Sequence, residues 1–111
     1  MNEEQTFQKI VEKLLQIKNV TQVRMFGSPG LRVSNKVFAF LWKKGLVLKL
    51  PQPRVQSLVD SRKAELFDPG HGRVSKEWVS VGPELKGQWL RLAEEAKEFV
   101  RSRRQVTGRG R

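Results

Sequence analysis

The sequence predicts an α+β domain in which an antiparallel β-meander packs against an N-terminal helix, a C-terminal helix and a short middle helix. Three observations support this fold class. Apolar residues recur at helical spacing near both ends of the chain, and the segment between them contains short alternating runs separated by turn residues. The chain has 111 residues and no cysteine, so it can bury one hydrophobic core and cannot be a disulfide scaffold.

Amphipathic helices are predicted at the two ends of the chain. The first covers about residues 3–17, with Asn2 and Gln5 at the two positions of a capping box. Its apolar face consists of Phe7, Ile10, Val11, Leu14 and Leu15. The last helix opens at residues 82–83, and its apolar face consists of Leu85, Trp89, Leu92, Ala93, Ala96, Phe99 and Val100. The short middle helix begins at Pro53, because proline suits the first helical position.

Four short strands joined by tight turns are predicted between the first two helices. They cover residues 23–26, 31–34, 37–42 and 46–50. The first turn is placed at residues 27–30, where proline fixes φ and glycine permits a positive φ. The third run is apolar on both faces, so we expect it at the centre of the sheet. Two further strands are predicted at residues 64–67 and 77–81.

Alternation along these strands predicts which side chains face the core. Val23 and Met25 are expected to face the core, which would place Arg24 on the opposite face. The aromatic residues predicted to share one face of the third strand are Phe38, Phe40 and Trp42. Aromatic residues in a central strand usually belong to the core, whereas on an open face they could stack on bases.

Positive charge is concentrated in the middle of the chain. The net charge is +11, and residues 19–63 alone have a net charge of +8. Such a concentration attracts polyanions, so nucleic acid is the expected partner. DNA is favoured over RNA, although the charge itself does not distinguish them. The predicted nucleic-acid-binding residues are the basic residues of the strands and hairpin tips: Arg24, Arg32, Lys36, Lys43, Lys44 and Lys49.

The domain is predicted to include residues 1–103. Residues 104–111 are rich in arginine and lack apolar periodicity, so we expect a disordered basic tail. The N-terminus does not resemble a secretory signal, and the longest apolar run, residues 37–42, is far too short to span a bilayer. A cytoplasmic location without membrane contact is therefore expected.

Two other classes of function remain open from the sequence. Asp68, His71 and Arg73 lie in one glycine-rich loop, where they could share a proton or position a phosphate in an enzyme. The basic region could instead bind an acidic protein surface, as an adaptor that could form a homodimer. Neither a metal nor a cofactor is expected, because the only histidine and the scattered carboxylates lack ligand spacing. The leading prediction is a small non-enzymatic regulatory protein that binds nucleic acid.

A resemblance to a known family follows from the predicted meander. Residues 25–39 read Met-Phe-Gly-x-x-Gly-Leu-x-Val-x-x-Lys-Val-Phe-Ala, and residues 45–50 read Gly-Leu-Val-Leu-Lys-Leu. This pattern resembles the TfoX N-terminal domain family and the related MmcQ/YjbR-like proteins, over about residues 5–100. Ser28 and Pro29 stand where that family usually has glycine-rich or aromatic positions. The resemblance implies an α+β domain with an antiparallel sheet and a link to transcription regulation.

Overall fold

The computed structural model of the protein describes residues 2–68 and 76–108, within which it contains one six-stranded sheet and three α-helices. The elements in chain order are α1 (Glu3–Leu14), β1 (Val20–Met25), β2 (Ser28–Val33), β3 (Lys36–Trp42), β4 (Gly45–Lys49), α2 (Gln52–Asp60), β5 (Glu65–Leu66), β6 (Trp78–Val81), a 3-10 helix (Pro83–Gln88) and α3 (Trp89–Gly108). This architecture confirms the predicted α+β class with N-terminal, middle and C-terminal helices.

The sheet is antiparallel throughout and has the strand order β1-β2-β3-β4-β6-β5. The first four strands form the predicted meander, because short turns let each strand pair with the next. β6 returns to pair with the free edge of β4, and the two-residue strand β5 forms the outer edge. β3 lies between β2 and β4 and has four buried residues, which agrees with the central position predicted from its apolar composition.

Local capping fixes the start of α1 as the sequence indicates. The backbone N–H of Gln5 donates to Asn2 Oδ1 at 2.8 Å, and the backbone N–H of Asn2 donates to Gln5 Oε1 at 3.1 Å. Both halves of the capping box are therefore present, and they satisfy two N–H groups that have no partner inside the helix. The helix ends at Leu14, three residues before the predicted end.

All three helices contribute to one core on the same face of the sheet, which we call the inner face. Trp89 of α3 is fully buried there, and its indole N–H donates to the Gly82 carbonyl oxygen at 3.2 Å. This hydrogen bond ties α3 to the end of β6. The other helical residues fully or almost fully buried in this core are Phe7, Ile10, Val11, Leu14, Val55, Leu58, Leu92, Ala93, Ala96 and Val100.

The end of α3 differs from the sequence prediction. The helix continues to Gly108, past residue 103 where the apolar period ends. Extending an existing helix adds a hydrogen bond for each residue without a new nucleation step, so polar residues can prolong it. The rest of the predicted tail, residues 109–111, lies outside the described residues. Within the described parts of the chain, no helix has both the length and the apolar content needed to cross a membrane.

Candidate functional site

A second cluster of apolar side chains lies on the sheet face opposite the helices, which we call the outer face. Phe40 and Val47 on the central strands and Phe67 after β5 are almost completely buried in it. Aromatic rings contact one another edge-on or at a tilt, with centroids 5.2–6.2 Å apart, which is the favourable range for ring pairs. We define the outer aromatic cluster as Phe26, Phe40, Trp42, Phe67 and Trp78.

A β-bulge in β3 corrects the predicted faces of its aromatic residues. Leu31 pairs with Ala39 but Arg32 pairs with Val37, so Phe38 is an extra residue without a partner on β2. A bulge breaks the alternation of side chains between the two faces. Phe38 consequently joins the inner core. The prediction that it shares a face with the two aromatic residues that follow it on β3 is wrong.

The side chains of β1 also lie on the sheet faces opposite to those predicted. Met25 packs against the outer cluster, and Val23 pairs with Gly30, which in turn pairs with Phe40 on the outer face. The outer face has its own apolar layer, so apolar residues on β1 do not have to point toward the helices. Arg24 alternates with them and therefore lies on the inner face at the sheet edge.

The turn between β1 and β2 brings Phe26 onto the outer face. Met25 pairs with Ser28, so the turn consists of Phe26 and Gly27, with φ angles of 54° and 77°. Two consecutive left-handed residues are typical of a tight type I′ hairpin, and the prediction of a turn at residues 27–30 is wrong. A left-handed conformation is rare for a bulky residue and costs about 1 kcal/mol or more. Contacts with three rings of the cluster offset part of this cost.

Two lysines lie against tryptophan rings of the outer cluster. The Nζ of Lys43 is 5.8 Å from the Trp42 ring centroid, and the Nζ of Lys49 is 5.6 Å from the Trp78 ring centroid. Both distances are within the range of cation–π attraction. The two lysines are at opposite ends of β4, with the cluster between them. The rings thus hold two positive charges at the margins of an apolar surface.

The other predicted binding residues divide between the two faces. Arg32 pairs with Thr21 and Val37 on the outer face, where its Nε–H donates to Thr21 Oγ1 at 3.0 Å. Lys44 is exposed in the same hairpin turn as Lys43. Arg24 lies on the inner face, with its guanidinium hydrogen-bonded to the Gly27 carbonyl oxygen. Lys36 pairs with Val33, a core residue, and so also belongs to the inner-face side.

The structure therefore brings four of the six predicted residues to the outer face or its hairpin margin, namely Arg32, Lys43, Lys44 and Lys49. It places Arg24 and Lys36 apart from them. None of the six forms an ion pair with a described residue. The meander, residues 20–49, contains these six cations and no carboxylate. A carboxylate does occur at the β5 edge, since Glu65 lies in the same cross-strand row as Ser80 and Val47.

The helical side of the molecule has charges of both signs. Its ion pairs join Arg54 to Glu95, Lys86 to Glu3, Lys97 to Glu98 and Arg101 to Glu98. A groove of about 620 Å³ between α2, α3 and the end of β4 is lined by apolar residues and by this mixture of charges. Because acids and bases alternate there, this surface does not favour a polyanion.

The predicted catalytic loop is only partly within the described residues. Asp68 is exposed, while His71 and Arg73 lie outside the described residues. Among residues 2–68 and 76–108, no group of three or more histidine, aspartate or glutamate side chains is arranged to hold a metal ion. The described part of this loop therefore contributes no acid–base pair to the outer face.

Sequence reasoning missed three members of the outer cluster. Phe67 and Trp78 come from separate segments after α2, and only strand pairing brings them beside the meander. Phe26 was placed at the end of a strand rather than in a turn. The signal that could have identified it is the Phe-Gly pair between two alternating runs, since glycine often follows the first residue of such turns.

Comparisons with known proteins do not identify relatives. No protein-family model matches the chain, and no curated protein or solved structure is similar to it at a significant level. Membership of the TfoX N-terminal domain family therefore stays a prediction based on the motif of residues 25–39.

Proposed function

We propose that the protein is a non-enzymatic nucleic-acid-binding module and that the outer face of its sheet is the binding surface. In this proposal, Arg32, Lys43, Lys44 and Lys49 contact phosphates, and the outer aromatic cluster lies beneath the bound chain. The main support is the distribution of charge. Four of the six cations of the meander lie on the outer face or its hairpin margin, and the meander has no carboxylate, while the ion-paired carboxylates are on the helical side.

The spacing of the four cations also supports this proposal. Arg32 and Lys49 are on β2 and β4, two strand spacings apart, which is about 10 Å. Gly45 and Lys49 are four residues apart on β4, so the hairpin lysines lie about 13 Å or more from Lys49. A bound chain that runs along the strands over the cluster would thus pass from the hairpin lysines to the end of the sheet that carries Lys49 and Arg32.

Counterion release gives a direct test of the phosphate contacts. We would measure binding of fluorescent single-stranded DNA, duplex DNA and RNA by anisotropy over a range of salt concentrations. Each phosphate contact steepens the dependence of log affinity on log salt by about 0.7 for single strands and about 0.9 for duplex. The double variant Lys43→Ala/Lys44→Ala should therefore flatten the slope by about 1.4 to 1.8 units.

A matched control distinguishes the effect of the outer-face cations from the effect of total charge. Lys9→Ala/Lys13→Ala removes the same number of charges from exposed positions on α1, on the helical side. This control should leave the salt slope almost unchanged. The proposal is overturned if wild type binds none of the three nucleic acids at low salt, or if both double variants change the slope equally. Competition by polyglutamate as strong as that by nucleic acid would favour the adaptor for an acidic protein.

A further inference from the structure

The geometry points to Phe26 as a stacking platform for one unpaired base, so that the outer face prefers single-stranded to duplex nucleic acid. This inference rests on the proposed function and adds to it a substrate class and a contact residue. Bases are available for stacking on a side chain only where they are not enclosed in a duplex.

Phe26 is the ring of the outer cluster that solvent reaches most fully. It is 52% exposed, whereas Phe40 and Phe67 beneath it are 1% and 7% exposed. Its inward side contacts three rings, with centroids 5.7 Å from Phe40, 5.2 Å from Trp42 and 6.2 Å from Phe67. These contacts hold the ring in place while leaving another part of it open. A positioned ring loses little freedom when a base stacks on it.

The backbone at Phe26 argues against a purely conformational role for this residue. Position 26 has a φ of 54°, a conformation for which asparagine or glycine is better suited. A phenylalanine there is unfavourable for the turn, and its ring is half-exposed instead of fully buried. Strained and exposed side chains of this kind occur often at ligand sites.

The neighbouring cation completes the arrangement. Lys43 and Phe26 both contact the Trp42 ring, Lys43 through its Nζ and Phe26 edge-on. Lys43 is exposed and forms no ion pair with a described residue. An aromatic face beside a free ammonium group matches a nucleotide, which presents a base and a phosphate close together.

The test compares ring removal by two routes. Phe26→Asn keeps a residue suited to the left-handed turn, and Phe26→Leu keeps apolar packing without an aromatic face. Leu66→Asn is the matched control, because Leu66 is 40% exposed but pairs with the core residue Val79 on the inner-face side. The probe is an oligothymidylate of about ten nucleotides, within the usual site size, with one 2-aminopurine as a fluorescent base.

We expect both Phe26 variants to weaken single-strand binding by about tenfold and to reduce the 2-aminopurine fluorescence change. Their salt slopes should match that of wild type, since no charge is removed. Leu66→Asn should bind like wild type. Circular dichroism verifies that each variant is folded, and one folded Phe26 variant is enough for the test. The stacking role is overturned if a folded Phe26 variant binds single strands as tightly as wild type does, or if wild type binds duplex and single strands equally tightly. Either result leaves the phosphate contacts intact. Absence of any wild-type binding overturns the proposed function itself.

Discussion

The Nζ of Lys49 lies 5.6 Å from the ring centroid of Trp78, its cross-strand partner on β6. Pairing of β4 with β6 therefore determines where this positive charge lies. The two residues are about thirty positions apart in the sequence, and only the return of the chain to the free edge of β4 brings them together. Lys49 and Trp78 therefore lie at the end of the outer face opposite the Lys43 hairpin.

Replacing Lys49 by methionine should reveal whether this margin contacts phosphate. Lys49→Met keeps most of the side-chain volume but removes the charge, so the salt slope for single-stranded DNA should fall by about 0.7. Lys36→Met removes an equal charge from the inner-face side and should leave the slope unchanged. Anisotropy titrations at several salt concentrations measure both. Equal changes in slope for the two variants would mean that binding does not distinguish the faces.

Gly30 of β2 should not tolerate an added side chain. A Cβ added there would lie 2.9 Å from the Cβ of Phe40 and 3.0 Å from the Ala39 carbonyl oxygen. Neither atom can move away without shifting β3, so Gly30→Ala should destabilise the fold by about 1–3 kcal/mol. Gly87→Ala is the control, because a Cβ at Gly87 meets nothing within 4 Å. Urea unfolding measures both, and equal stability of the two variants would refute the close approach of β2 to β3.

Trp89→Phe should show how strongly α3 is tied to β6. The substitution removes the hydrogen bond to the Gly82 carbonyl oxygen and leaves unfilled volume at a fully buried site. We expect a loss of about 1–3 kcal/mol in the free energy of unfolding. Leu15→Ala, at a 39% exposed position, should change it by less than about 0.5 kcal/mol. A Trp89→Phe variant as stable as this control would contradict the assigned role of the indole.

Features that depend on local sequence were predictable. The capping box at Asn2, the apolar face of α3 and the central position of β3 each follow from residues close together in the chain. Periodicity and capping are local properties, and tertiary packing here agrees with them. The α+β class followed from the order of these segments.

The orientation of the strands was not predictable by the same reasoning. Alternation assigns faces correctly only when a strand is regular and only one face is apolar. Phe38 breaks the first condition, because the bulge shifts the register by one residue. Met25 breaks the second, because it packs into an apolar layer on the face away from the helices. Of the predicted binding residues, the hairpin lysines were placed correctly at a turn, whereas the faces of Arg24 and Lys36 required the observed register.

Acidic pH should weaken the interaction of the Glu98 carboxylate with Lys97 and Arg101 on α3. The Glu98 carboxylate accepts hydrogen bonds from Lys97 Nζ at 2.9 Å and from an Arg101 guanidinium nitrogen at 2.6 Å. These two bonds hold the pKa of Glu98 below its ordinary value of 4.5. The folded state therefore favours the ionised carboxylate, and its contribution to stability is complete above pH 4.5 and is lost as the pH falls through the lowered pKa.

The variant Glu98→Gln isolates this contribution. Because the side chain of Glu98 is 49% exposed, solvent screens the pair and the effect near neutral pH should be only about 0.2–1 kcal/mol. Urea unfolding should show the variant less stable than wild type at about pH 7, with the difference shrinking as the pH falls below 4.5 and the wild-type carboxylate loses its charge. High salt should shrink the difference at neutral pH as well, since it screens exposed charges. A difference that persists at acid pH would mean that Glu98 acts through packing or neutral hydrogen bonds rather than through its charge.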